Sequence, residues 1–167
     1  KEGNLVIALP SDGLHTNGYS DILKILDIYK KQKKDMLDEE TLNYLSKYHK
    51  SYLKEIIELR KYVSILGLCH VTGGGLIENP KRILRDDLSL YIDTNAWDLP
   101  KIYEWIQKYS NLEMKQLYKI FNCGIGMLIV IDKKDKVDAM NILNNYGGFL
   151  VGTIQKREEN SEQVRFF

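Results

Sequence analysis

No apolar run in this chain is longer than five residues, and that brevity restricts its architecture more than any other feature. The longest are Leu5 to Leu9 and Met127 to Ile131. Runs of this length suit buried strands, whereas a membrane span needs about 20 apolar residues, so no membrane partner is expected. No secretory leader is visible either. Between the runs, apolar residues recur at helical spacing, as in Ile22, Ile25, Leu26 and Tyr29. The chain therefore interleaves short strands with amphipathic helices. Its 167 residues fit one domain and leave little room for two. Lys and Arg total 24 against 23 Asp and Glu, which argues against a protein built to grip nucleic acid. Cys69 and Cys123 lie in apolar strand-like contexts without a Cys-x-x-Cys partner, and no Cys/His set has zinc spacing. No metal is expected, and two reduced thiols in a cytoplasmic protein are.

Read along the chain, residues 4–9 form a strand ended by Pro10, and a turn-rich loop follows. A helix starts at Tyr19 and closes in the polar run Lys30 to Lys34, and residues 39–60 read as a second helical region. A strand over 62–70 leads through three glycines into a short helix over 76–84, where Asn79-Pro80 looks like a cap and restart. Then come a strand over 88–93, helices from Pro100 and over 113–121, and a central strand over 124–131. A helix capped by Asp135 and stopped by Gly147-Gly148 precedes a last strand over 149–154. The order predicts an α+β fold, one mixed sheet packed with helices in a single domain over 1–167. The polar residues 156–167 are expected to fray.

Two polar, glycine-bearing loops stand between a strand and a helix, the usual ligand position in an open sheet. Ser11 to Ser20 (SDGLHTNGYS) carries His15, Asn17 and several hydroxyls. Thr72 to Asn79 (TGGGLIEN) carries Gly73, Gly74 and Gly75, whose backbone amides can approach an anion closely. The same glycines equally suit a tight bend beneath a packed helix. There is no G-x-x-x-x-G-K-[ST] and no G-x-G-x-x-G, so a nucleotide is not held in either familiar way.

Residues 12–20 (DGLHTNGYS) resemble the S-G-x-H-S-N-G-Y-S segment of the phosphoribosylformylglycinamidine cyclo-ligase family, the aminoimidazole ribonucleotide (AIR) synthetases. Residues 70–79 (HVTGGGLIEN) resemble its H-I-T-G-G-G-L-x-E-N segment. Glu113-Met114 with residues 121–127 (FNCGIGM) resembles its E-M…F-N-M-G-I-G-M. The chain departs from the pattern at Asp12, where the family has Ser, and at Cys69, where it has Ala. The family's P-T-x-I-Y becomes Tyr48-His49-Lys50-Ser51-Tyr52, and the proline after E-N arrives one residue early as Pro80.

The resemblance covers the C-terminal half of the enzyme, after an ATP-binding N-terminal half absent here. It implies a mixed sheet, a cytoplasmic and dimeric full-length enzyme, and purine synthesis. The implied reaction is ATP-driven ring closure of formylglycinamidine ribonucleotide, with ATP and Mg²⁺ contacted mainly by the missing half and the isolated domain inactive. His15 is the implied catalytic residue, in phosphate contact or proton transfer, although a loop histidine can also simply fix its own turn. Ser11, Asn17, Ser20, Thr72, Gly73, Gly74, Gly75 and Asn79 are the implied substrate or phosphate ligands. Asn17 and Ser20 equally suit helix capping, and Asn79 suits a cap before Pro80. His70 reads as a satisfied core histidine and His49 as a solvated helix residue. Two other readings stay open: half of a selenophosphate synthetase or thiamine-monophosphate kinase, and a non-catalytic binding domain of the same fold.

Overall fold

The structure is a computed structural model that describes residues 1–32 and 36–167. In chain order the elements are β1 (Leu5–Pro10), α1 (Tyr19–Gln32), α2 (Glu39–Ser46), α3 (Leu53–Leu59), β2 (Ile65–His70), α4 (Gly75–Lys81) and β3 (Leu88–Ile92). They continue with α5 (Ile102–Ser110), α6 (Met114–Ile120), β4 (Ile125–Ile131), α7 (Lys136–Leu143), β5 (Phe149–Lys156) and β6 (Val164–Phe166). The strands form one sheet in the order β2-β4-β1-β5-β3-β6. Every pairing is antiparallel except β3 with β6, so the sheet is mixed as the element order predicts.

Alternation along the strands sorts side chains into two cores. Leu5, Ile7 and Leu9 of β1, with Ile129 and Ile131 of β4, meet Leu59 of α3 and Ala139 and Leu143 of α7. Val6, Ala8, Leu128 and Val130 face the other way. There they meet Ile22 and Ile25 of α1, Leu76 of α4, Ile106 of α5 and Leu117 of α6. The result is helix, sheet, helix in three layers. Each fully buried Leu or Ile contributes roughly 1.5–3 kcal/mol, so these two cores dominate the favourable side of the fold. Because β1 and β2 both run antiparallel to β4, their C-terminal ends and the N-terminal end of β4 lie at one end of the sheet. Residues 12–20, 70–75 and 121–125, from the three motif segments, sit there, whereas Glu113-Met114 open α6 at its other end.

Four expectations are corrected. The helical region over 39–60 is two helices. Asp38 caps α2 by accepting the Thr41 amide at 2.8 Å, and Lys47 turns extended, so that residues 47–52 cross the sheet end as a loop. Tyr52 anchors that loop by donating its hydroxyl to the Pro10 carbonyl at 2.9 Å. The C-terminal tail does not fray throughout, because Val164 is buried and residues 164–166 pair with β3 as β6. Asp132, not Asp135, supplies the side-chain cap before α7, accepting the Lys134 amide across a 3₁₀ turn. Asn79 lies within α4, which runs through Pro80 without restarting. Helix α1 extends to Gln32; Lys33 and Lys34, in the run expected to close it, lie outside the described residues.

Candidate functional site

The loop after β1 is tightly wound. His15 and Thr16 both hold positive φ, at 52° and 65°, a left-handed pair that costs a β-branched residue such as Thr on the order of 1–3 kcal/mol. The winding turns the His15 ring inward, where it is only 1% exposed. Its Nε2 accepts the Asp12 amide at 3.2 Å, which leaves the proton on Nδ1, and buried Nδ1 has no hydrogen-bond partner. Burial, reinforced by nearby His49 and His70, pushes the His15 pKa down to about 4, so the ring is neutral at pH 7. The ring rests on β4 at Gly126, where a side chain would overlap the Tyr52 hydroxyl and press on His15 Cε1. That explains the second glycine of residues 124–126.

Asn17 joins this loop to the next. Its Nδ2 donates to the Val71 carbonyl at 3.3 Å, while its Oδ1 is buried and unpartnered. Asn122, fully buried, fixes the loop to the start of β4. Its Oδ1 accepts from Ser11 Oγ, Tyr103 Oη and the Gly124 amide, and its Nδ2 donates to the Gly13 carbonyl at 2.8 Å.

The triple-glycine turn is held from within. Asn79 Oδ1 accepts the Thr72 amide and hydroxyl, both at 3.1 Å, and Nδ2 donates to the Gly73 carbonyl at 2.9 Å. Gly75, at φ 57°, packs so closely on the end of α6 that a Cβ would overlap the Tyr118 carbonyl. Here the tight-bend reading holds. Gly73 faces open space, and among the described residues nothing accepts a hydrogen bond from the Gly73 or Gly74 amide.

Two histidines sit differently from their sequence reading. His49 is on the 47–52 loop, not on a helix, and its ring stacks on His15 at 4.4 Å between centroids. His70, at the end of β2, is exposed, and its Nε2 lies 2.7 Å from His49 Nε2. One nitrogen from each of His15, His49 and His70 falls within 4.8 Å of the others. Spacing along the chain gave no sign of this. The signal was the departure at Tyr48–Tyr52, which puts a histidine into a loop that faces His15.

Of the expected site residues, the fold gathers Ser11, His15, Asn17, Thr72, Gly73, Gly74, Gly75 and Asn79 at one sheet end. Ser11, Thr72 and Asn79 use their side chains to shape the loops. Ser20 stands apart, exposed on the first turn of α1, where the Gly18 carbonyl accepts the Asp21 and Ile22 amides and Asn17 Oδ1 accepts none. Glu78 pairs with Lys81 at 2.8 Å. Cys69 and Cys123 are buried free thiols, with burial pushing Cys69 up to about 12 and Cys123 higher. Among the described residues no helix is long and apolar enough to cross a membrane.

Known proteins resemble this chain in sequence or in fold. Phosphoribosylformylglycinamidine cyclo-ligases from Burkholderia mallei (strain SAVP1) and Chromobacterium violaceum are 33% and 32% identical over 98% of this chain. The chain spans about half the length of those relatives, 47% and 48%. Among solved structures, the hydrogenase maturation protein HypE of E. coli superposes with a TM-score of 0.66 at 14% identity, covering 99% of this chain and 47% of HypE. HypE in complex with ATP gives 0.63 at 13%, covering 99% and 48%. Thiamine-monophosphate kinase from Stenotrophomonas maltophilia K279a gives 0.58 at 12%, covering 99% and 50%. The "AIR synthase related protein, C-terminal domain" family matches residues 1–165. Matched over nearly its whole length, the chain belongs to that family.

Proposed function

We propose that this chain is the C-terminal half of an ATP-dependent cyclo-ligase that closes the imidazole ring of formylglycinamidine ribonucleotide. One observation carries the reading: the His15 loop and the triple-glycine turn adjoin, linked by Asn17 to Val71 at 3.3 Å, at the sheet end where the family motifs meet. Cyclo-ligase relatives matching over 98% of the chain support it.

The chemical problem is an amide oxygen that leaves poorly. Transfer of the ATP γ-phosphoryl group to that oxygen releases ADP and makes an imidate-like phosphate ester. The amidine nitrogen of the same molecule attacks the activated carbon, the C–O bond breaks, and phosphate departs with the former amide oxygen. With both reacting groups in one molecule, alignment supplies much of the acceleration, equivalent to on the order of 10⁵ M or more for well-placed groups. The free amides of Gly73 and Gly74 are suited to oxyanion oxygens of the substrate, and Asn17 keeps the two loops at a fixed distance. His15 contributes as a neutral imidazole, not as a cation. To touch a reacting atom it needs the exposed His49 ring to swing aside.

The imidazole cluster is a nitrogen donor set, unlike the oxygen set that Mg²⁺ requires, so no Mg²⁺ step passes through it. On this reading ATP and Mg²⁺ are held by a preceding half, the working enzyme is a cytoplasmic homodimer, and this chain alone does not turn over. The test is ATP-dependent AIR formation by the full-length protein, its Asn17→Ala variant and the isolated 167 residues. Activity is expected from the first, a loss of tenfold or more in kcat/KM from the second, and none from the third. Turnover by the isolated chain contradicts the proposed division of labour. Full activity after both His15→Ala and Asn17→Ala favours a binding domain. Phosphorylation of thiamine monophosphate without AIR formation favours the kinase reading that the shared fold leaves open.

A further inference from the structure

The chain contains only three histidines, and segments 34 and 21 residues apart bring all three together at His15, His49 and His70. Two of them fall within the family-like motifs. The third, His49, occupies the place of Thr in the P-T-x-I-Y pattern, so the completed cluster belongs to this chain and not to the motif. Among the described residues, no carboxylate oxygen is hydrogen-bonded to any of the three rings. His15 is buried with an unpartnered Nδ1, and His49 and His70 point their Nε2 atoms at each other.

We propose that His15, His49 and His70 form a binding site for a divalent transition-metal ion such as Zn²⁺. Imidazole nitrogens suit Zn²⁺, Cu²⁺ and Ni²⁺ and are poor donors for Mg²⁺ or Ca²⁺. Three protein nitrogens leave a fourth position for water or an anionic ligand. Zn–N bonds of about 2.0–2.1 Å require the His49 and His70 nitrogens to move apart beyond their present 2.7 Å. Both rings are exposed, so rotation about their side-chain bonds achieves this without disturbing the sheet. The His15–His49 stack opens in the same motion, since parallel rings cannot both aim in-plane at one ion. Buried His15 is the fixed ligand through Nε2, whose lone pair exchanges the 3.2 Å contact with the Asp12 amide for the ion while the proton stays on Nδ1, and the two exposed rings close onto the ion. This inference stands independently of the cyclo-ligase reading.

The test is Zn²⁺ titration of chelator-treated protein carrying no histidine tag, followed by calorimetry and by long-range ¹H–¹⁵N spectra of the imidazole rings. With only three histidines, each ring is assignable. One Zn²⁺ per chain is expected, with all three ring spin systems shifting together. His49→Thr, which changes an exposed loop residue to the family's own, is expected to weaken binding at least 30-fold while leaving the thermal midpoint of the metal-free protein unchanged. His70→Asn gives an independent second reading of the same loss. Three results each overturn the proposal: no saturable binding, shifts confined to His49 and His70 with His15 unmoved, or His49→Thr and His70→Asn proteins that bind Zn²⁺ as tightly as the parent.

Discussion

The two loops at the sheet end solve opposite problems. In the Thr72–Asn79 loop the left-handed positions are glycines, which adopt them without strain, and the Asn79 side chain satisfies the turn from within through bonds to Thr72 and Gly73. In the Ser11–Ser20 loop Gly18 is left-handed too, but so are His15 and Thr16, which carry the strain, and two buried polar atoms, His15 Nδ1 and Asn17 Oδ1, stay unpartnered. The first loop is a finished frame that presents two free amides. The second holds backbone strain and unused hydrogen-bonding capacity, features that stability alone does not favour and that gather at functional sites.

Substitutions that exchange the characters of the loops test this contrast. Gly75→Ala has the largest expected effect, because the new Cβ meets the Tyr118 carbonyl at a left-handed φ. A loss of about 3–5 kcal/mol or outright failure to fold is expected in urea unfolding. Acidification of metal-free protein comes next. The folded His15 value, about 4, lies below its ordinary 6.5, so the unfolded chain takes up a proton that the folded one refuses. Stability is therefore complete above pH 6.5, falls as pH drops, and levels off below about 4, a loss of roughly 3 kcal/mol. The groups around the ring are Asp12, whose charge opposes the shift, and His49, His70 and Lys50, which deepen it. Unfolding at a series of pH values checks this, and a flat profile between pH 7 and 4 contradicts a buried neutral His15. Asn79→Ala is expected to cost about 2 kcal/mol, since it strands the Thr72 and Gly73 groups that Asn79 now satisfies. Thr16→Gly is the smallest change and has the opposite sign. Thr16 is exposed, so relieving its left-handed strain should stabilise by about 0.5–1 kcal/mol, read as a higher melting temperature.

Strands were legible wherever a run was apolar on both faces. β4, buried at every residue, and β1 needed no tertiary information. β6 was hidden because Val164 and Phe166 are its only apolar residues, and a parallel pairing with β3 decides its state. The break between α2 and α3 was hidden for a similar reason. Helical spacing resumes at Leu53, and the departure at Lys47 becomes favourable only through tertiary contacts such as Tyr52 to Pro10. Within the site, His15, Asn17 and the glycines stood out as polar turn residues between a strand and a helix. The role of Asn79 was misread because cap and staple use the same residue type. His49 was missed because its position depends on that same unforeseen break.

The most direct test of the oxyanion pocket is a titration of the chain with inorganic phosphate, followed through its backbone and side-chain amide spectra. Saturable shifts concentrated at the Gly73 and Gly74 amides and the Asn17 side chain are expected. Phosphate shifts that spread over surface lysines and leave those three groups unmoved contradict the account.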